Sequence, residues 1–160
     1  MQGNPISAEG FQKLKQELEE LKKERPEVIQ AIKDAREEGD IRENAGYEAA
    51  KERQGMLEAR IRDLESRLPR CNVIDINSMS GDLVAFGATV EIRDLETDET
   101  KRFTLLGADE ADYKSGSISV HSPMAQALLG KEEGEEATVH APRGQVEYEI
   151  VSVRYKGNGA

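Results

Sequence analysis

Residues 8–68 read AEGFQKLKQELEELKKERPEVIQAIKDAREEGDIRENAGYEAAKERQGMLEARIRDLESRL. Leu, Glu, Lys, Gln, Arg and Ala dominate the stretch, all strong helix formers, and apolar residues return at alternating intervals of three and four. The series runs Phe11, Leu14, Leu18, Leu21, Arg25, Val28, Ile32, Ala35 and, after a break, Tyr47, Ala50, Gln54, Leu57, Ile61, Leu64, Leu68. This is a heptad seam with one polar interruption in each arm, Arg25 and Gln54. The break, Gly39-Asp40-Ile41-Arg42-Glu43-Asn44, begins with the residue that best ends a helix and holds good residues for starting the next. The spacing predicts an antiparallel helical hairpin with its tip at 39–44.

Two helices folded back about one tip pair positions whose numbers have a constant sum. Leu14 with Leu68, Leu18 with Leu64, Leu21 with Ile61, Arg25 with Leu57, Val28 with Gln54, Ile32 with Ala50 and Ala35 with Tyr47 all sum to 82, which places the fold-back at residue 41. Phe11 pairs with Cys71 on the same rule, so a buried structural thiol is expected there. Pro26, inside the first arm, removes a backbone hydrogen bond and predicts a kink. Arms of about 30 residues, at 1.5 Å per residue, make a narrow rod about 45 Å long.

Past Leu68 the pattern changes. We assign 1–76 to the coiled-coil hairpin, the polar stretch 77–82 (Asn77-Ser78-Met79-Ser80-Gly81-Asp82) to a linker, and 83–160 to a second unit. In that unit Thr89–Ile92, Arg102–Leu106, Ser117–Val120, Ala137–His140 and Val146–Val153 are short, rich in β-branched residues and separated by turn signals, which reads as antiparallel strands. Ser122-Pro123 opens a short helix, Ser as N-cap and Pro at the first position, closing at Gly130. The fold class is α+β: a helical hairpin followed by a domain with an antiparallel sheet.

The 160 residues hold 22 Lys and Arg against 32 Asp and Glu, a net charge of −10, with 37% hydrophobic and 4% aromatic residues and no Trp. A freestanding nucleic-acid binder would need a basic surplus instead. Division by unit refines this: residues 1–70 carry 14 basic and 16 acidic groups, net −2, and residues 71–160 carry 8 and 16, net −8. The acidic unit suits docking on a basic protein surface, and the near-neutral rod is left to meet nucleic acid. With Cys71 alone, no disulfide within the chain and no cysteine metal site can form. His121 and His140 are too few and too far apart for a metal site. No apolar run reaches the roughly 18 residues of a membrane span, and MQGNPIS has neither the basic nor the apolar region of a secretion signal, so the expected location is the cytoplasm, away from membranes.

Asp40 and Glu43 put two carboxylates at the tip, and two readings of them stand side by side. As structure, Asp40 is the N-cap of the second helix and Glu43 its N3 residue, a capping box that spacing alone favours. As chemistry, Mg²⁺ takes one or two carboxylates and fills its remaining positions with water and phosphates, so the pair could complete a site whose other ligands belong to a partner. Arg36, Arg42, Lys51 and Arg53 flank the acids, either as a solvated face with ordinary ion pairs or as cations that hold a phosphate backbone.

Over nearly its whole length the chain resembles the bacterial Gre transcript cleavage factors. The run Ala35-Arg36-Glu37-Glu38-Gly39-Asp40-Ile41-Arg42-Glu43-Asn44-Ala45 followed by Tyr47 is similar to the family's tip motif. Phe86-Gly87-Ala88-Thr89-Val90, Asp109-Glu110-Ala111-Asp112 and Ser122-Pro123-Met124-Ala125 through Leu128-Leu129-Gly130-Lys131 resemble its C-terminal signatures. The modest basic content near the tip resembles the less basic of the family's two branches.

The resemblance implies a coiled coil that enters the secondary channel of RNA polymerase while an FKBP-like C-terminal domain grips the rim. It implies that Asp40 and Glu43 help hold a Mg²⁺ shared with the polymerase, no cofactor being bound stably by the factor alone. The polymerase's own cleavage of backtracked RNA would be stimulated, the factor not being an enzyme by itself. It further implies that Arg36 and Lys51 contact the nascent RNA 3′ segment, that Ser122 and Pro123 dock on the polymerase, and that the factor works as a monomer. An alternative within the same resemblance is a channel-binding inhibitor without cleavage stimulation. One departure is Gly46, where the family carries an acid; a glycine inside a helix costs about 1 kcal/mol relative to Ala and predicts a looser tip. Five aromatics in the C-terminal unit are too sparse for a prolyl isomerase pocket, and that activity is not expected.

Overall fold

The computed structural model describes residues 3–37, 45–77 and 79–155. By contacts the chain divides into Gln12–Arg70 and a second unit made of Met1–Phe11 with Cys71–Ala160.

The first unit is built on α1 (Ala8–Glu37) and α2 (Ala45–Arg67). Every seam position named above is buried or half-buried. Val28, Ile32, Leu57 and Ile61 form a buried cluster, and Leu18, Leu21, Tyr47 and Ala50 pack against it. These residues alternate between the helices as the constant-sum rule requires. Among the described residues, ion pairs that cross the seam and straddle the same register include Glu17 with Arg60, Lys22 with Glu65, Glu24 with Arg53 and Arg25 with Glu58. The last explains the polar interruption at position 25. Arg25 keeps its stem in the seam and turns its guanidinium onto the Glu58 carboxylate, with Nε at 2.9 Å and Nη2 at 2.6 Å, and this partner raises its pKa. Pro26 is exposed, and α1 runs as one helix through it.

In the second unit a five-stranded sheet has the order β5-β4-β3-β7-β6, from β3 (Thr89–Asp94), β4 (Thr100–Leu106), β5 (Ser117–Ser119), β6 (Glu136–Ala141) and β7 (Gly144–Arg154). Alternation puts Val90, Ile92, Phe103, Leu105, Val139, Tyr148 and Ile150 on one face, against Ala125 and Leu128 of α3 (Pro123–Leu128). The inward period skips from Ile150 to Val153 because the β3–β7 register shifts between Glu91 and Ile92, leaving Val151 as an extra, exposed bulge residue. Tyr155, buried with its pKa raised by that burial, donates to the Leu83 carbonyl.

Two pairings differ from the sequence reading. β5 runs parallel to β4, Thr104 facing Ser117. The connection from Leu106 to Ser117 is no tight hairpin but carries a helical turn at Tyr113–Ser115, which gives the chain length to come back in the same direction. The second difference is an additional two-stranded parallel sheet, β1 (Asn4–Ser7) on β2 (Cys71–Ile74). It gathers the first eleven residues and 71–76, assigned above to the hairpin, with the sheet unit. Cys71 pairs with Asn4 in that sheet and is half-buried, where full burial was expected. Ile76 and Met79 at the linker pack against the sheet core.

The start of α1 is tied within this second unit. Ser7 is buried, and its hydroxyl accepts from the Gly10 amide at 3.1 Å, the geometry of an N-cap. The Glu110 carboxylate accepts from the Ser7 amide at 2.8 Å, from the Gly107 amide at 3.1 Å and from the Ser7 hydroxyl. The approach is close enough to require glycine: a Cβ on Gly107 would lie 2.0 Å from the Pro5 carbonyl oxygen, and one on Gly10 would lie 2.3 Å from Glu110.

Candidate functional site

The tip acids Asp40 and Glu43, with Arg42, lie outside the described residues. The helix ends that carry them are described. α1 closes with Arg36 in its last turn, where a cation complements the partial negative charge of the helix end. α2 opens with Ala45, Gly46 and Tyr47. Gly46 therefore lies in an exposed first turn and not in a helix interior, so the helix interior penalty expected for it does not apply in full.

The seam register pairs Ala35 with Tyr47, and that pairing brings the next residue of α1, Arg36, beside the ring. The Arg36 guanidinium carbon stands over the Tyr47 ring at 5.8 Å from its centroid. Hydrogen bonding by this guanidinium is the largest influence lowering the Tyr47 pKa from its ordinary value of 10.0; burial opposes it, and the charges of Arg36 and Lys51 add smaller pulls downward. Lys51 lies one turn beyond Tyr47 on the same face of α2. Arg36, Tyr47 and Lys51 thus form one cluster with two exposed cations around a half-buried aromatic. Among the described residues neither Arg36 nor Lys51 makes an ion pair with a carboxylate. Arg53, the fourth flanking cation, is paired with Glu24 across the seam and is used structurally. Such a cluster can receive an anion: a guanidinium fork and an ammonium suit phosphate oxygens, and the open face of a tyrosine suits a base.

Ser122 and Pro123 occupy the start of α3, as expected. The Ser122 hydroxyl accepts from the Ala125 amide at 3.2 Å and donates to the Ser119 carbonyl at 2.7 Å, so its polar capacity is spent on shaping the turn. Gln126 adds a bond from its side-chain amide to the Val120 carbonyl at 2.7 Å. Pro123 is exposed at this corner.

Sequence reasoning missed two elements. Tyr47 was read only as a seam residue and as part of the tip motif, although the sum rule already put it next to Arg36. Glu110 was read only as part of a motif, and nothing in its neighbourhood in sequence points to Ser7, 103 residues away.

Two family profiles match the chain, "Transcription elongation factor, N-terminal" over residues 4–73 and "Transcription elongation factor, GreA/GreB, C-term" over residues 79–155. A transcription elongation factor GreA of Nitratidesulfovibrio vulgaris is 66% identical over 157 residues, covering 98% of this chain and 96% of that protein. GreA of Xanthomonas axonopodis pv. citri is 52% identical over 153 residues, with 94% and 97% covered. Among solved structures, the GreA factor homolog 1 (Gfh1) protein of Thermus thermophilus aligns with 94% of this chain and 97% of its own, at 29% identity and a TM-score of 0.43. In the described residues no helix is long and apolar enough to cross a membrane.

Proposed function

The chain belongs to the GreA/GreB family of transcription elongation factors, and on that premise we propose that it acts on RNA polymerase by inserting its hairpin into the secondary channel and stimulating the polymerase's own cleavage of backtracked RNA. The observation that carries this reading is the gathering of Arg36, Tyr47 and Lys51 at the helix ends that flank Asp40 and Glu43. Among the described residues neither cation has a carboxylate partner, which suits a tip that meets an external anion.

Each part of the chain has a task under this reading. The sheet unit, which holds most of the excess acid, docks on a basic surface of the polymerase, with Pro123 exposed at a corner that Ser122 shapes. The two helices supply reach: α1 has 30 residues and so about 45 Å of axis. Arg36 and Lys51 hold the phosphates of the RNA 3′ segment. Asp40 and Glu43 offer hard carboxylate oxygens of the kind Mg²⁺ takes, two being too few for a stable site in the factor alone, which fits a metal shared with the polymerase. When bound there, Mg²⁺ supplies an activated water and neutralises charge at the phosphodiester. The chain's own part is delivery and orientation, and no catalytic activity is assigned to it in isolation.

The test is a halted, backtracked polymerase complex carrying end-labelled RNA, with and without the protein. Stimulated release of 3′ fragments is expected, and the Asp40→Asn variant, which caps a helix as well as Asp but lacks its charge, should keep its thermal midpoint and lose the stimulation. Full stimulation by Asp40→Asn overturns the metal role. Slowed nucleotide addition by the wild type without fragment release would identify a channel inhibitor instead.

A further inference from the structure

The described part of the tip holds an aromatic side chain beside an exposed arginine. Tyr47 packs at the end of the buried cluster of Val28, Ile32, Leu57 and Ile61, and it is held there by α2. A seam position at a hairpin end is satisfied by any apolar side chain. This one instead presents a ring face to Arg36, whose guanidinium stands over it. Arginine has long rotamer freedom, and on an exposed helix end that freedom would be lost each time it engages a ligand. An aromatic seat removes part of that cost beforehand, and a guanidinium stacked on a ring keeps N–H donors in its plane available to phosphate oxygens.

We propose that Tyr47 is a positioning residue for Arg36: its ring holds the guanidinium in the orientation that takes a phosphodiester of the RNA 3′ segment. The inference rests on the functional reading above and adds to it a residue whose action passes through another. Lys51 completes the arrangement as a point charge on the same helix face, so the seat carries one oriented fork and one unoriented cation. The lowered pKa of the phenol agrees with a guanidinium close to it.

A double-mutant cycle in the cleavage assay tests this, with Tyr47→Leu, Arg36→Ala and the double variant measured beside Tyr47→Phe as half-saturating concentration and maximal rate. Tyr47→Leu is expected to lower stimulation about fivefold, while Tyr47→Phe, which keeps the ring, stays within about twofold of wild type. In the Arg36→Ala background Tyr47→Leu should cost nothing further, because there is no guanidinium left to orient. Losses that multiply, or a Phe variant as poor as Leu, overturn the inference, and thermal midpoints near wild type for all variants separate either result from unfolding. The ¹⁵Nε relaxation of Arg36 in the free protein gives a readout that needs no polymerase: restricted motion in wild type and Tyr47→Phe, released in Tyr47→Leu. Unrestricted Arg36 in the wild type also overturns the inference. A restricted Arg36 together with a wild type that releases no RNA fragments would overturn the functional reading itself, and with it the ligand assigned to the seat.

Discussion

At its first turn α1 is bound by Ser7 and Glu110, whose three accepted hydrogen bonds lie within a close contact that only Gly10 and Gly107 permit. At its last turn the same helix ends in Arg36, held by an aromatic ring and by no carboxylate among the described residues. One helix therefore shows both uses of polar side chains. Where a charge is enclosed by fixed donors, its value is stability, and its removal leaves orphaned amides. Where cations are exposed and grouped, they add little to stability and remain available to an external anion. The first end should respond to mutation by unfolding, the second by loss of action on RNA.

The largest expected effect is at the closed end. Gly107→Ala places a methyl group 2.0 Å from the Pro5 carbonyl oxygen, and backbone must move to relieve it. A destabilisation of about 3 kcal/mol is expected, lowering the thermal midpoint by roughly 10 °C. A midpoint within 2 or so degrees of wild type, roughly one kcal/mol, would show that β1 is only loosely attached.

Glu110→Gln is the next in size. The amides of Ser7 and Gly107 share one carboxylate oxygen, which the Gln oxygen can replace, and the NH₂ group then faces the Ser7 hydroxyl, which loses its acceptor. The expected cost is about 2 kcal/mol, or about 5 °C, with RNA cleavage near wild type at temperatures where the variant is folded. If Glu110→Gln instead lost cleavage while keeping its midpoint, the division between the two ends of α1 would collapse.

At the open end Lys51→Ala should change stability by less than about 0.5 kcal/mol, as for surface substitutions generally. Its effect belongs in the cleavage assay as weaker stimulation, and the deficit against wild type should be largest at low ionic strength and shrink as salt screens the lost contact. A deficit that ignores salt would remove Lys51 from phosphate binding.

How much of this contrast was legible in the sequence follows from the range of the interactions. The hairpin was legible because its pattern repeats: seven pairs from Leu14–Leu68 to Ala35–Tyr47 agree on one register, and the structure places all of them at the seam. Strands β3, β4, β6 and β7 were legible for the same reason, through alternation over several residues. β1 has four residues and no alternation to read, and its partner β2 starts 67 positions beyond its own first residue. The parallel β4–β5 pair was misread because a short connection between strands usually makes a hairpin, and the turn at Tyr113–Ser115 breaks that expectation. At the candidate site, Arg36, Lys51, Ser122 and Pro123 were named from motifs, whereas the role of Tyr47 needed the ring and the guanidinium in place together.

The smallest expected effect concerns the middle of the hairpin, where charges are neither enclosed nor free for a ligand. Glu17 accepts from Arg60 across the seam at 2.8 and 2.9 Å, and this hydrogen bond holds its carboxyl below the ordinary value of 4.5, with burial opposing. Asp63 is shifted in the same direction by Arg67 and Arg60. A carboxylate whose folded pKa is depressed contributes stability above its unfolded pKa and loses it as pH falls through the folded one. Wild-type stability should therefore decline as pH drops below about 4.5 and the Glu17 charge is lost. The Glu17 side chain is half-buried and still reached by water, so solvent screening limits its share to a few tenths of a kcal/mol. Glu17→Gln should show that small deficit at pH 7 and converge with wild type near pH 3, by urea denaturation at both values. Convergence would place these cross-seam pairs between the two ends of α1, structural in purpose but weak because water reaches them. A deficit that persists unchanged at low pH would mean that Glu17 acts through the packing of its stem and not through its charge.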